Sequence, residues 1–472
     1  MGSYSRTGYF ALIQESVENT ALKPNKFIPL MSQDIVTQYG ATPAMPISAN
    51  RTRNLRPIIT AIEPPSGTLK LLVEPKTIGY LLKGVYGAVT TGRFFAISSV
   101  SGTFQVGETV TGGTSSATAT VVAVSAENDY LLMSAPTGTF TAAGETITGG
   151  TSSATATLGA NSSTVYGHQF TAPQNSLPTF TLEFGFDNEA YRLVGARFNS
   201  FESVGQEDNI IAVEVGVFAR SEFKHARVTA VLASGSGSKT ISLDQTTGLV
   251  AADTIKVFRP STGAFLDFSA SSVKTHTIGT VASETSITVT DLQTSLAVGD
   301  LIVLAPQTPS YTIDKEFSWI GGSTMRIGTT MTSALSATAD SIENFELKLV
   351  SEMEGKHGAN GTNVVNRFPA ANFLKGLTGE GKINRTYTDM AYLDKLRNNT
   401  QNALQISHQG SLITSTIYFR LDWRTPNAIF DAFNPNLGDD DLLEQEMPFK
   451  MYYDATQGYL SKALLVNTTS SY

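Results

Sequence analysis

The chain has 472 residues, 33 Lys and Arg against 41 Asp and Glu for a formal net charge of -8, and no cysteine. This length accommodates two to four domains of ~100–200 residues. Disulfides and thiolate metal sites are excluded, and the acidic balance leaves no basic footprint for stable nucleic-acid binding. Charged residues are only 16%, against ~25% in an ordinary globular protein. The abundance of Gly, Ser, Thr and Ala points to many short strands and tight turns.

The opening MGSYSRTGYFALIQES lacks the apolar core of a signal peptide, and Arg6 stands where a myristoylation signal requires Ser or Thr. No window approaches ~18 apolar residues, so no membrane-spanning helix is expected. The chain is expected to be made and used in the cytosol, or to leave only by lysis. Prolines at 24, 29, 43, 46 and 57 fit either an extended arm that a partner surface orders or a plain N-terminal strand with loops.

A strand–helix signal comes next, SGTLKLLVEPKTIGYLLKG at 66–84, and a second copy is read at 379–399, GEGKINRTYTDMAYLDKLRNN. Leu69, Leu71 and Val73 alternate before the first helix, and Ile383 precedes the second. Pro75 suits the first turn, and Gly84 the position past the end. In the second copy Thr388 is the expected cap, and Met390, Leu393 and Leu396 form one stripe. Aligning the two helices sets Ile78, Tyr80 and Leu81 over Met390, Tyr392 and Leu393. This similarity predicts a duplicated unit.

Between the copies the composition changes twice. Residues 94–163 hold a tandem repeat, GETVTGGTSSATATV at 107–121 and GETITGGTSSATATL at 144–158. Thirteen of its fifteen positions are identical, and Gly-Thr-Phe precedes each copy. Alternating Thr with Ala or Val predicts strands, with hairpin turns at Gly112-Gly113 and Gly149-Gly150. Residues 226–311 carry a weaker repeat: Thr240–Leu243 and Asp253–Val257 resemble Ser286–Val289 and Asp300–Val303. A small β-barrel-like module is predicted there. Outside the modules, half-buried strands are predicted from alternation at Phe180–Phe186, Ile211–Val217, Phe345–Leu349, Ile417–Trp423 and Met447–Tyr453. Pro448, inside the last, calls for an edge or a bulge.

Motifs for chemistry are scarce. The five histidines, His168, His225, His276, His357 and His408, show no metal-binding spacing. Gly235-Ser236-Gly237-Ser238-Lys239 lacks phosphate-loop spacing and reads as a flexible linker. Asp439-Asp440-Asp441 reads as a solvated loop rather than a calcium site. No nucleophile–base set and no paired carboxylates stand out, so no enzyme and no cofactor are expected.

Four stretches carry a family resemblance. SRTGYFALIQESVENTALKPNKFIPLMSQDI and NLRPIITAIEPPSGTLKLLVEPKTIGYLLKGVYG resemble the start of phage tail tube proteins. VYGHQFTAPQNSLPTFTLEFGFDNEAYRLVGARFNSFESV is similar to the sheet-forming core of that family, and NLGDDDLLEQEMPFKMYYDATQG also resembles it. The resemblance extends over the part of the chain outside the two modules, about two thirds of its length, and rests on patterns rather than catalytic signatures.

The resemblance implies antiparallel β-sandwiches with a flanking helix, in rings whose inner sheets join into a barrel. Stacked rings form the conduit for genome ejection in a virion, assembled in the host cytoplasm. Implied partners are further copies of the chain, tape measure and tail terminator or completion proteins, and double-stranded DNA in transit without specific binding, with no membrane. The expected organisation is a first tube domain from 1–93 and 164–225, inserted modules at 94–163 and 226–311, and a second tube domain at 312–472. Rings in the family are typically six-fold, so two tube domains per chain imply three chains per ring with approximate six-fold symmetry. The modules are expected on the outside and dispensable for assembly. A lumen with more acidic than basic side chains is expected, with Glu183 and Glu214 as candidates. The alternatives are a capsid decoration or tail-fibre adhesin, which would bind glycans through an exposed aromatic or metal-bound site, and a secreted carbohydrate-active enzyme, which would need a carboxylate pair and a signal peptide.

Overall fold

A computed structural model describes residues 8–37, 39–44, 56–62, 64–141, 143–172, 177–205, 211–267, 275–312, 314–319, 321–340, 342–356, 371–386, 391–398, 400–414, 416–432, 434–437 and 443–472. Among them the chain is mainly β, with thirty-one strands and three short helices. β1 (Tyr9–Gln14), β2 (Lys26–Ile28), β3 (Leu30–Gln33), β4 (Tyr39–Ala44), β5 (Arg56–Ile62) and β6 (Ser66–Leu72) lead to α1 (Ile78–Tyr86). The first repeat lies within β7 (Ala88–Ser101), β8 (Thr109–Gly112), β9 (Thr118–Val124), β10 (Tyr130–Met133), β11 (Thr146–Gly149) and β12 (Thr155–Thr171). β13 (Phe180–Gly185), β14 (Ala190–Gly205), β15 (Ala212–Phe218) and β16 (Ser221–Phe223) follow. The second repeat region holds β17 (Ala226–Arg227), β18 (Gly235–Ser242), β19 (Thr254–Arg259), β20 (Ala264–Phe265), β21 (His276–Ser283), β22 (Ser286–Leu292) and β23 (Leu301–Leu304). The rest is β24 (Ser323–Gly328), α2 (Met331–Ser336), β25 (Asn344–Lys356), β26 (Ala371–Thr386), α3 (Ala391–Arg397), β27 (Asn402–Thr414), β28 (Ile417–Phe430), β29 (Asn434–Leu437), β30 (Leu443–Met451) and β31 (Lys462–Asn467).

Alternation of apolar and polar residues fixes which face of each strand is buried. An inner layer of eight antiparallel strands runs β3–β6–β15–β14–β25–β26–β30–β29. Its buried face, including Leu69, Leu71, Val213, Val215, Leu347, Leu349, Ile383 and Phe449, packs on an outer layer ordered β7–β12–β31–β28–β27–β24. A second outer strip, β2–β1–β13, joins the first half of β14. β14 then crosses to the inner layer, with a register shift between Phe198 and Ser200. Gly195, at φ 65°, provides the left-handed residue of that bend.

One apolar core spans both layers and draws on both ends of the chain, from Phe10 to Leu465. α1 is sunk into it through Ile78, Leu81, Leu82, Val85 and Tyr86. The two repeat regions have separate clusters, one including Val110, Ile147 and Leu158, the other Ile241, Ile255, Ile287 and Ile302.

Several expectations need correction. Gly84 is not past the end of α1 but inside it, because an added Cβ would collide with the Phe198 ring; Gly87 closes the helix instead. Tyr80 is half-buried at the rim, edge-to-face with Tyr472 at 4.9 Å. Leu393 in α3 is half-buried, while Met390 and Thr388 lie outside the described residues, as does the Tyr392 side chain. α2 had no expectation; a capping box between Thr330 and Ser333 starts it. β13 is not half-buried: all six residues are buried, since each face is covered. Gly235–Lys239 is strand β18 rather than linker. Pro448 lies within the sheet, where the neighbour of β30 changes from β29, paired through Glu446, to β28, paired from Phe449. The boundary at 94–163 cuts through two continuous paired strands, β7 and β12. The acidic run at 439–441 and His357 lie outside the described residues.

Candidate functional site

The exposed face of the inner layer carries ordered rows of charged side chains. Because side chains alternate with period two, residues directly opposite one another form a row across neighbouring strands. One row reads Ser32, Lys70, Glu214, Glu202, Lys348, Glu380, Lys450, each opposite the next. The next row over the second half of the sheet pairs Glu346, Lys382 and Pro448. Ion pairs cross it from Lys348 to Glu380 at 3.6 Å and from Lys382 to Glu446 at 3.2 Å. On this face the carboxylates Glu202, Glu214, Glu346, Glu352, Glu380 and Glu446 outnumber the ammonium groups Lys70, Lys348, Lys382 and Lys450. Partial burial and the neighbouring Glu346 raise the Glu202 carboxyl above its ordinary pKa, with Lys348 opposing.

Short strands lie at the two ends of this layer, and β30 beside one of them also joins β28 of the outer layer from Phe449 on. Among the described residues β3 pairs only with β6, and β29 only with β30. Both edge strands are four residues long, and β29 contains Pro435, which has no N–H to donate. Short edges and proline limit indiscriminate pairing. The strand order within the layer also repeats. Numbered along the chain, β3, β6, β14 and β15 lie in the order first, second, fourth, third, and so do β25, β26, β29 and β30. A helix follows the second strand in each set, α1 and α3. The sets meet where β14 pairs with β25, from Ser200 opposite Val350 to Gly205 opposite Phe345.

Glu214 is exposed on this face, whereas Glu183 is buried and lines no surface, which corrects its assignment to a lumen. Arg192 Nε donates to Glu183 at 2.6 Å, and its two other nitrogens grip Asp253 of the second module at 2.5 and 2.7 Å. Gln307 and the Tyr9 hydroxyl complete the carboxylate's shell. The first module is held in the same way. The β9–β10 turn delivers Glu127 and Asp129 to buried Arg424 on β28, at 2.9 and 2.5 Å. Lys462 on β31 and the Tyr459 hydroxyl also donate to Glu127, both at 2.7 Å. Burial alone would raise both carboxyls, but Lys462 and Arg424 hold Glu127 at about 2, and Arg424 holds Asp129 at about 2. Sequence reasoning missed both arginine locks: Arg424 lies 297 and 295 positions from Glu127 and Asp129, and Arg192 bridges an adjacent strand to a separate module 61 positions on.

His168 and His408 are buried, and burial lowers them to about 4 and about 3, so both are neutral packing groups bonded to Asn467 and Ser323 respectively. Among the described residues no three His, Asp or Glu side chains converge as metal ligands, and no helix is long and apolar enough to cross a membrane. No protein-family model and no curated protein matches the chain.

Proposed function

We propose that the chain is a structural protein of a phage tail tube, whose copies close into rings and whose rings stack around the path of the genome. One observation carries this reading: two four-stranded sets of identical order lie edge to edge and leave β3 and β29 as the strands at opposite ends of the layer. The β14–β25 pairing inside one chain is then the pattern by which β29 of one copy joins β3 of the next, removing every edge. Each set, with its helix and the outer strands above it, counts as one tube-type sandwich domain, and the chain carries two in tandem over a shared core. The modules are attached through β7, β12 and the outer half of β14, which favours the outside of a ring. The charge rows then face the lumen. A surface of interspersed charge with an excess of carboxylates releases few counterions from DNA, which favours sliding over holding. Tape measure and terminator partners and a virion location rest on the family resemblance alone.

Negative-stain microscopy of the purified chain tests the reading. Hollow tubes or short stacks of rings are expected. Discrete particles under all assembly conditions would sink it in favour of a decoration or adhesin role.

A further inference from the structure

A cleft of about 510 Å3 opens where the β13–β14 turn meets the second module. One wall carries Phe186 and Tyr191, nearly parallel with centroids 5.8 Å apart, and Phe184 stacks on Tyr191 at 4.9 Å. The other wall carries Phe258 and Phe265, opposite one another on β19 and β20 and edge-to-face at 5.5 Å. These four lining rings are only half-buried; Lys224 Nζ lies over Tyr191 at 6.0 Å and Lys256 Nζ over Phe265 at 5.4 Å, and the remaining ring surface is apolar. The volume lies within the ~300–1,000 Å3 of small-ligand sites, which favour junctions between domains.

The rim decides the class of ligand. The side chains of Asn188, Glu189 and His225 are exposed and make no hydrogen bond among the described residues. The nearby cations are already engaged: Lys224 pairs with Glu222 at 2.9 Å, and Lys256 donates to the Asn188 carbonyl at 2.8 Å. Phosphate or acidic ligands require unspent cationic donors, and a lipid tail gains nothing from free amide, carboxylate and imidazole groups. A pyranose ring offers the complement, with an apolar C–H face for the aromatic walls and hydroxyls around its edge for those three side chains. We propose that this cleft binds a short stretch of neutral carbohydrate. The site is complete within one chain, so it does not depend on ring formation.

The test is saturation-transfer NMR and calorimetry on the full chain with three probes: maltotriose, cellotriose and triacetylchitotriose. Transfer to ring C–H protons of at least one probe at millimolar concentration is expected. Phe265→Ala should weaken binding about fivefold to tenfold, as loss of one good contact does. Asn188→Ala, at an exposed position that leaves the fold intact, should weaken it by about fivefold. No transfer from any of the three overturns the proposal, as does transfer that survives both substitutions. Uptake of an apolar dye with no sugar binding likewise overturns it, and would mark a protein-docking groove.

Discussion

Arg424 has no exposed surface and neutralises Glu127, Asp129 and Asp422 around it. A buried ion cluster of this kind adds little net stability, but breaking it strands charge in a dry interior. Arg424→Met should therefore cost about 3–5 kcal/mol, read by chemical denaturation. The cluster also sets a pH dependence. The folded Glu127 and Asp129 carboxyls sit at about 2, below their unfolded values of ~4. Their contribution is complete above pH ~5 and is lost as pH falls from there toward 2. Denaturation midpoints measured between pH 7 and 3 should drop less steeply in Arg424→Met than in the parent; equal slopes would contradict the assignment. Glu202 has the opposite sign. Its raised carboxyl faces Glu214 directly, so Glu202→Gln should stabilise the chain at pH 7 by about 0.2–1 kcal/mol, the scale of a cross-strand pair. These residues also mark the limit of sequence reading. Glu183 and Glu214 sit in equally regular alternating strands, and only the docking of a distant module, through Arg192 and Asp253, separates the buried one from the exposed one.

At the scale of elements, the tandem repeat was plain in the sequence, but its purpose was not. Glu145 of the second copy accepts the backbone N–H groups of Thr114 and Ser115 in the turn of the first, at 2.9 and 2.6 Å. Glu108 of the first does the same for Thr151 and Ser152 of the second, at 3.1 and 2.9 Å. β8 and β11 pair between the two glutamates. The near-identity of the copies thus reflects a reciprocal clasp, in which each Gly-Gly-Thr-Ser-Ser turn is completed by the other copy's carboxylate. Glu145→Gln replaces an acceptor oxygen with a donor and should cost about 1–3 kcal/mol. The loss should appear as faster hydrogen exchange in β8, β9 and β11 but not in β25 or β26. The weaker repeat follows a similar logic. β18 pairs with β22 and β19 with β23, while the repeated Asp253 and Asp300 each take an arginine and a local N–H. The same geometry argues against the expectation that the first module is dispensable. Deleting 94–163 removes Glu127, Asp129 and Tyr130 from around Arg424 and Lys462, and cuts β7 and β12 in mid-ladder. Such a deletion should give insoluble or unfolded protein rather than a thinner tube, as judged by expression and circular dichroism.

At the scale of the molecule, the proposal that copies close the inner layer into a ring raises the question of how many do so. Strand alternation in β6, β15, β25 and β30 could be read from the sequence, and so could the strand–helix similarity around α1 and α3. The shared core could not, because contacts such as Phe201 with Trp423, at 5.3 Å, join residues more than two hundred positions apart. Each chain supplies eight inner strands, so three copies supply twenty-four and six supply forty-eight. With strands ~4.8 Å apart and tilted by up to ~40°, twenty-four close at a backbone diameter of roughly 37–48 Å, and forty-eight at about twice that. Either exceeds the ~16–18 strands that already leave an open channel, so an open lumen does not discriminate between them; diameter and mass do. On the proposed ring, the shared strand order of the two four-stranded sets favours three copies, because the repeating unit of the barrel is then half a chain and the sets alternate around the ring with approximate six-fold symmetry. Native mass spectrometry of isolated rings should give about 150 kDa for three chains of 50.4 kDa, rather than about 300 kDa. Averaged images of the same rings should show a barrel in the narrower diameter range, with six near-equivalent lobes that split into two alternating kinds at higher resolution. A ring of six chains, or six lobes of one kind, would break the link between the internal strand order and the assembly.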